Sequence, residues 1–212
     1  GDVVTFSHDG RFYLFYLIDR RHHRSKFGKG GHEWALLSSS DLKNWDDHGI
    51  VLPIEHQWET MGTGTPFYFN GRYFMTYGYH SSRITPAEKT IAGEMKNFYE
   101  KNGKTGVFTA EKGEVLCGMT YAESDDCINF KKTYKAVHFS ENPSVYVSSG
   151  KLLLFAGGDT DGTGIWESDH LGGFSCVMGG FPPRGKDSFM RNCLDCPSLF
   201  EWHGTHYLLI GF

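Results

Sequence analysis

The sequence lacks any apolar run of about 18 residues, the length that predicts a membrane-spanning helix. It also lacks a block of Lys or Arg residues, and its formal net charge is −4 with a pI near 6.3. Proteins that bind nucleic acid normally carry a basic patch or stripe. We therefore predict neither a membrane nor a nucleic-acid partner, and a chain of 212 residues is long enough to bury a core as one soluble domain.

Cysteine is scarce and irregularly spaced. An odd count of five gives no disulfide framework, which favours a cytoplasmic over a secreted or periplasmic location. No basic segment followed by an apolar run opens the sequence, although a trimmed N-terminus would look the same. Cys193 and Cys196 have the spacing of half a zinc site, but no second Cys pair follows. We predict no metal and no cofactor.

Glycine and aromatic residues are abundant, with 27 Gly and 16% aromatics, as expected where many short strands meet at tight turns. A Gly followed by an alternating aromatic and aliphatic run occurs four times, and a short apolar run precedes each copy. Such pairs of runs are typical of hairpins that turn at the Gly. The four copies are residues 10–16, 71–77, 150–156 and 204–210.

A second phrase, a Ser followed six positions later by an aromatic residue, occurs three times, at residues 39–45, 124–130 and 168–174. The repeats leave room for four strands each, so they predict an all-β protein, a β-propeller with one sheet per repeat. A β-sandwich would not explain the second phrase. The predicted blade boundaries are about 1–55, 56–135 and 136–185, with the start of a fourth blade at about 186–212. Because that blade stops after its hairpin, we expect a longer protein or a partner chain to complete the propeller.

Polar residues directly precede the first strands of these hairpins. The innermost strands of a propeller begin near its central channel, so such residues should face one shared pocket. Asp2 precedes the first run, and residues 64–66, 141–143 and 195–197 precede the others. Pro suits the first residue of a strand, where no backbone donor is needed.

These phrases resemble glycoside hydrolase family 32, the invertase and levanase group, which is related to the arabinanase and xylosidase group, family 43. The resemblance runs from Asp2 to about Phe200 and includes the phrase at residues 34–45. Glu141-Asn142-Pro143 stands where the family has Arg-Asp-Pro, and Asp195-Cys196-Pro197 stands where it has Glu-Cys-Pro. The resemblance implies a five-bladed β-propeller, of which about four blades are present in this chain.

The resemblance also implies catalytic roles. Asp2 would be the nucleophile and Asp195 the general acid/base of a glycosidase. Retaining enzymes place their carboxyl groups about 5–5.5 Å apart and inverting enzymes about 6.5–9.5 Å apart. Because Asp195 is one methylene shorter than the family's Glu, the stereochemical outcome stays open. Asn142 can bond a sugar hydroxyl but carries no charge, which Glu141 or Glu59 would supply instead.

Further residues are candidates for contact with a carbohydrate substrate. The charged run at residues 19–24 follows the first hairpin and lies in a long loop. Such runs are usually only solvated, but loops at the mouth of a propeller often build substrate subsites. Trp34 could offer its ring to a sugar, with core packing as the alternative. The substrate-binding candidates are Asp19, Arg20, Arg21, His22, Trp34, Glu59, Thr63 and Asn142.

The sequence thus predicts a β-fructosidase-like glycoside hydrolase. Two alternatives stay open, an arabinosidase or xylosidase on the same fold and an inactive propeller that binds glycan.

Overall fold

The computed structural model describes residues 2–18, 32–55, 61–81, 108–109, 116–133, 142–157, 164–179 and 195–211. All regular elements within these ranges are β-strands, so the all-β prediction is confirmed. The strands are β1 Val3–His8, β2 Arg11–Ile18, β3 Glu33–Ser39, β4 Asp46–Leu52, β5 Pro66–Phe69, β6 Arg72–Ser81, β7 Phe108–Thr109, β8 Leu116–Ser124, β9 Lys131–Lys132, β10 Asn142–Ser148, β11 Lys151–Gly157, β12 Gly164–Ser168, β13 Ser175–Gly179, β14 Asp195–Trp202 and β15 Thr205–Gly211.

These strands form four antiparallel sheets that follow one another along the chain. Sheet 1 has the order β1-β2-β3-β4 and sheet 3 the order β10-β11-β12-β13. Sheet 2 has the order β5-β6-β8-β7, with β9 also paired to β8, and sheet 4 is the hairpin β14-β15. Each sheet therefore begins with a hairpin, as the repeats predicted, and in sheets 1 and 3 the later strands follow outward in chain order.

All four opening hairpins turn at the predicted Gly. The two central residues of each turn have positive φ, which is the conformation of a type I′ turn and matches the twist of the strands. Gly tolerates this conformation without a steric penalty. The turns are Asp9-Gly10, Asn70-Gly71, Ser149-Gly150 and His203-Gly204, with φ of 47° and 70°, 48° and 83°, 50° and 76°, and 51° and 74°.

The apolar core lies between sheets. One buried cluster joins sheets 1 and 2 and contains Phe15, Trp34 and Met75. A second cluster joins sheets 2 and 3 and contains Phe74 and Leu154. Phe74 and Met75 are consecutive residues of β6 that point to opposite neighbours, because successive side chains of a strand alternate between its faces. Sheet 2 is thus buried on both sides.

The Ser-to-aromatic phrase connects the third strand of a sheet to the next. In its first copy Ser39 Oγ accepts a hydrogen bond from Leu42 N at 2.8 Å. Asp41 Oδ1 accepts from the backbone N–H groups of Lys43 and Asn44, both at 2.8 Å. These bonds satisfy backbone donors that the sheet does not use, so the phrase is a loop-closing device. The second copy repeats the arrangement around Asp126, whereas His170 takes the Asp position in the third.

Candidate active site

Strand register brings four residues to equivalent positions at one end of the sheets. In each sheet the seventh residue of the second strand pairs with one residue at the entrance of the first strand. Two of these pairs are shown by backbone hydrogen bonds, from Leu17 N to Asp2 O and from Gly78 N to Thr63 O, and two by the strand register. The four entrance residues, in sheets 1 to 4, are Asp2, Thr63, Asn142 and Asp195.

A β-bulge shapes the entrance of sheet 4. The register shifts between Asp195 and Ser198, so Asp195 rather than Cys196 pairs with Gly211. Cys196 has a φ of 46°, an uncommon conformation for a residue with a side chain. Bulges insert one extra residue and re-aim the side chains beside it. This bulge therefore brings the backbone of Asp195 to the entrance position and turns Cys196 toward Asp2.

Asp2 is held by side chains from two other sheets. The hydroxyl of Thr63 donates a hydrogen bond to Asp2 Oδ2. The thiol of Cys196 lies 3.7 Å from the same oxygen and 3.4 Å from Thr63 Oγ1. Thr63 is 6% exposed, whereas Asp2 is open to solvent. Sheets 1, 2 and 4 thus meet at one carboxylate, which keeps an open side toward the cleft.

Gly64 lets the entrance of sheet 2 pass close to its neighbouring strand. A Cβ built on Gly64 would lie 1.8 Å from the backbone oxygen of Thr76. Thr65 next to it accepts a hydrogen bond from Val145 N at 2.8 Å, which ties sheet 2 to sheet 3. Only Gly fits this crossing, and it places Thr63 against Asp2 and Thr65 against sheet 3.

Asp2 opens onto a cleft of about 760 Å³. The first strands of all four sheets line it, with side chains that include Phe6, Tyr68, Tyr146 and Glu201. Tyr146 donates a hydrogen bond to Glu201 Oε2 at 3.1 Å. Burial and this hydrogen bond to Glu201 raise the pKa of Tyr146, so it stays protonated at neutral pH. A cleft with aromatic surface and a few oriented polar groups suits a small polar ligand such as a sugar.

The structure brings some of the predicted site residues together and separates one. Asp2 and Thr63 are in contact, and the Thr63 hydroxyl donates its hydrogen bond to Asp2 instead of pointing into the cleft. Asn142 is half-buried at the equivalent position of sheet 3. Trp34 is 0% exposed in the core between sheets 1 and 2, so its ring has no surface to offer a sugar. The expected sugar contact of Trp34 is therefore corrected to a core role.

The remaining candidates lie outside the described residues. Cys196, by contrast, is a contact of Asp2 that we did not predict, because the sequence does not show that a bulge turns it toward the cleft. The one sequence feature that points to Cys196 as a site residue is its position in the phrase at residues 195–197. The candidates outside the described residues are Asp19, Arg20, Arg21, His22, Glu59, Glu141 and the side chain of Asp195.

Two general features of the described ranges bear on function. They contain no group of three or more His, Cys, Asp or Glu side chains arranged to hold a metal ion. They also contain no helix that could span a membrane.

Solved structures with the same arrangement of sheets define the fold as a β-propeller, in which the sheets are blades. A Bombyx mori GH32 beta-fructofuranosidase matches with a TM-score of 0.65 and 18% identity over 98% of this chain and 39% of its own. A sucrose-6-phosphate hydrolase from Lactobacillus gasseri matches with a TM-score of 0.64 and 16% identity over 98% and 40%. A GH43_1 enzyme from Xanthomonas citri, complexed with xylotriose, matches with a TM-score of 0.63 and 15% identity over 98% and 64%.

The sequence model of the glycosyl hydrolases family 32 N-terminal domain matches residues 4–209. The chain therefore belongs to glycosyl hydrolase family 32, and both the predicted family and the predicted propeller fold are confirmed. It spans about two fifths of the length of the two family 32 structures named above, 39% and 40%. No curated protein matches the chain.

Proposed function

We propose that this protein is a β-fructosidase-like glycoside hydrolase that cleaves a fructoside or a related glycoside. The observation that carries the proposal is the placement of Asp2, whose carboxylate opens onto the cleft where three sheets meet. Family 32 membership supports the reaction class. Two structural relatives, a beta-fructofuranosidase and a sucrose-6-phosphate hydrolase, support a fructoside as the substrate.

In the proposed reaction Asp2 attacks the anomeric carbon while Asp195 donates a proton to the departing glycosidic oxygen. The carbon–oxygen bond to the leaving group breaks as the ester bond to Asp2 forms, through a transition state that resembles an oxocarbenium ion. Asp195 then removes a proton from water, which hydrolyses the ester and restores both carboxyl groups. The register that puts Asp2 and the backbone of Asp195 at equivalent positions supports this pairing.

Neighbouring residues would bind the sugar. Asn142 occupies the same entrance position in sheet 3, where its amide can bond a sugar hydroxyl. Glu141 directly precedes it and would supply the negative charge that an amide lacks. Residues 19–22 and Glu59 are proposed as further contacts at the mouth of the cleft.

One experiment tests the proposal at the level of product. We expect the full-length protein to release fructose from at least one of levan, inulin and sucrose. Asp195→Asn should lower kcat by about 10²- to 10⁴-fold, the usual contribution of a positioned acid or base. Asp2→Asn removes the nucleophile and should lower kcat at least as much. Asp47→Asn serves as the matched control and should keep full activity, because Asp47 is exposed in β4, at the opposite edge of sheet 1 from β1, and does not line the cleft. Full activity in both active-site variants would contradict the assignment.

The structural match to family 43 favours one second candidate, an arabinosidase or xylosidase activity. The Xanthomonas citri enzyme is complexed with xylotriose, and this chain covers 64% of it. Hydrolysis of aryl arabinosides or xylosides without hydrolysis of fructosides would select this candidate. Sugar binding in calorimetry without turnover of any substrate would indicate a propeller that only binds glycan.

A further inference from the structure

The geometry points to Thr63 as a positioning residue that selects which oxygen of Asp2 attacks the sugar. The inference rests on the proposed role of Asp2 as nucleophile and adds a role for Thr63 that the sequence did not suggest. Thr63 would hold Oδ2 and leave Oδ1 to form the bond to the anomeric carbon.

The contacts around Asp2 are one-sided. The Thr63 hydroxyl and the Cys196 thiol both converge on Oδ2. No donor from the described residues reaches Oδ1. A hydrogen-bonded carboxylate oxygen has its electron density drawn toward the donor, so the unbonded oxygen is the better nucleophile.

The Thr63 hydroxyl uses its proton in the hydrogen bond to Asp2 Oδ2. A hydroxyl has a single proton, and this one is donated to Asp2. The side chain is nearly buried and its backbone is fixed, since Thr63 O accepts from Gly78 N at 3.1 Å. Such a group cannot reorient toward a sugar without breaking its bond to Asp2. Thr63 therefore acts through Asp2, and not as the direct substrate contact that the sequence predicted.

Cys196 supports the same arrangement from sheet 4. Its thiol donates to Asp2 Oδ2 at 3.7 Å, so the oxygen that Thr63 holds has a second donor. A thiol is a weak donor, so Cys196 should contribute less than Thr63.

The arrangement serves both steps of the proposed reaction. While Oδ1 attacks, the bond to Oδ2 fixes the plane of the carboxylate and keeps Oδ1 aimed at the substrate. In the resulting ester Oδ2 is the carbonyl oxygen, and the same Thr63 hydroxyl still donates to it. When water attacks the anomeric carbon, the bond to Oδ1 breaks and its electrons return to a carboxylate that the hydroxyl already stabilises.

The test compares Thr63→Val, which removes the hydroxyl at nearly constant volume, with Thr63→Ser, which keeps it. In the full-length protein we expect Thr63→Val to lower kcat by about 10- to 100-fold, since small misplacements of a reacting group have effects of that order. KM should change by less than about threefold, because the hydroxyl does not touch the sugar. Thr63→Ser should recover most of kcat, and Thr205→Val, an exposed Thr in β15, should behave as wild type.

A second measurement follows the formation of the glycosyl-enzyme by itself. Variants of a second residue, Cys196, provide a test if the Thr63 variant misfolds. Quenched samples analysed by mass spectrometry should show slower formation of the glycosyl-enzyme on Asp2 in Thr63→Val. If Thr63→Val does not fold, Cys196→Ala should lower kcat several-fold at constant KM and Cys196→Ser should not, with Cys176→Ser in β13 as control.

The outcomes separate this inference from the proposed function. A raised KM with unchanged kcat in Thr63→Val would overturn it and make Thr63 a substrate contact. Equal loss in the Val and Ser variants would also overturn it. If Asp2→Asn keeps the wild-type rate, or wild type has no activity, the proposed function fails instead. If Asp2→Asn is inactive while Thr63→Val is fully active, only the positioning role fails.

Discussion

Asp41 illustrates what a single carboxylate contributes to the loops of this protein. Its two oxygens accept hydrogen bonds from Lys43 and from the backbone and side chain of Asn44. The backbone bond from Asn44, helped by those from Lys43 and from the Asn44 side chain, lowers the pKa of Asp41 to about 2. In Asp126 burial opposes the shift, but bonds from Asn129 and Ile128 still hold its pKa well below the usual value. These carboxylates are charged at every pH at which the protein would normally work.

We predict that Asp41→Asn lowers the Tm by a few degrees near pH 6, because an amide accepts weaker bonds from the same donors. A carboxylate whose folded-state pKa lies below its unfolded value, about 3.9, stabilises the fold above that value. This contribution disappears as the pH falls through the folded-state pKa. The difference in Tm between variant and wild type should therefore shrink between about pH 4 and pH 2, followed by circular dichroism.

The matched control for this prediction is Asp9→Asn, the same chemical change in an exposed hairpin turn, where Asn tolerates the positive φ. The Asp9 carboxylate forms an exposed ion pair with His8 at 3.5 Å, which contributes little, so Asp9→Asn should change the Tm by less than Asp41→Asn does. A constant difference between Asp41→Asn and wild type down to pH 2 would show that the loop does not depend on the charge.

At the scale of elements, short entrance segments do more than connect strands. The stretch from Thr63 to Thr65 crosses β6 closely and contacts Asp2 on one side and β10 on the other. Gly64 makes this possible, because any side chain there would meet backbone atoms, which cannot rotate away. The bulge at Cys196 is the corresponding device in sheet 4. Both devices depend on backbone shape, and both end at the same carboxylate.

We predict that Gly64→Ala destabilises the fold by about 1–3 kcal/mol or more, the range seen when atoms are forced into a packed region. The added Cβ would lie 1.8 Å from Thr76 O, so the strand entrance must move. Urea denaturation measures the loss, and activity should fall with it because Thr63 leaves Asp2. Gly172→Ala is the control, since a Cβ there would meet nothing within 4 Å and the residue has no positive φ. Equal stability of both variants would mean that the entrance adapts freely.

At the scale of the whole molecule, stability resides between sheets. Each of the two buried clusters draws residues from two neighbouring sheets, and sheet 2 contributes to both. A single four-stranded sheet has two apolar faces that it cannot cover alone, so burial requires neighbours on either side. The same stacking brings the first strands together around the cleft, which couples the site to the core.

We predict that Leu154→Ala destabilises the protein by about 2–5 kcal/mol, the usual cost of truncating a fully buried Leu. Leu154 is 0% exposed and belongs to the cluster between sheets 2 and 3. Leu42→Ala, the same truncation at a side chain that is 55% exposed, should change stability by less than about 0.5 kcal/mol. The midpoints of urea unfolding compare the two. A small effect at Leu154 would show that this interface contributes little to folding.

The local features of the fold were accessible from the sequence because they depend on neighbouring residues. The turn at Gly10 needs only a residue that tolerates positive φ between two alternating runs, and the loop around Asp41 needs only acceptors at fixed spacing. Repetition of these signals predicted one sheet per repeat. The phrases at Asp2 and at residues 195–197 predicted the family for the same reason, since their order along the chain is preserved.

The site itself depended on contacts between residues far apart in the chain. The sequence makes Trp34 a plausible sugar contact and Asp2 a plausible nucleophile, yet packing of sheet 1 on sheet 2 buries Trp34 and leaves Asp2 open. Thr63 and Cys196 both contact Asp2, although they lie 61 and 194 residues from it in the sequence. Local patterns thus determined the strands, their turns and the family, because these need only short-range chemistry. Only the stacking of sheets decided which polar groups share a carboxylate, because that follows from distances no local pattern encodes.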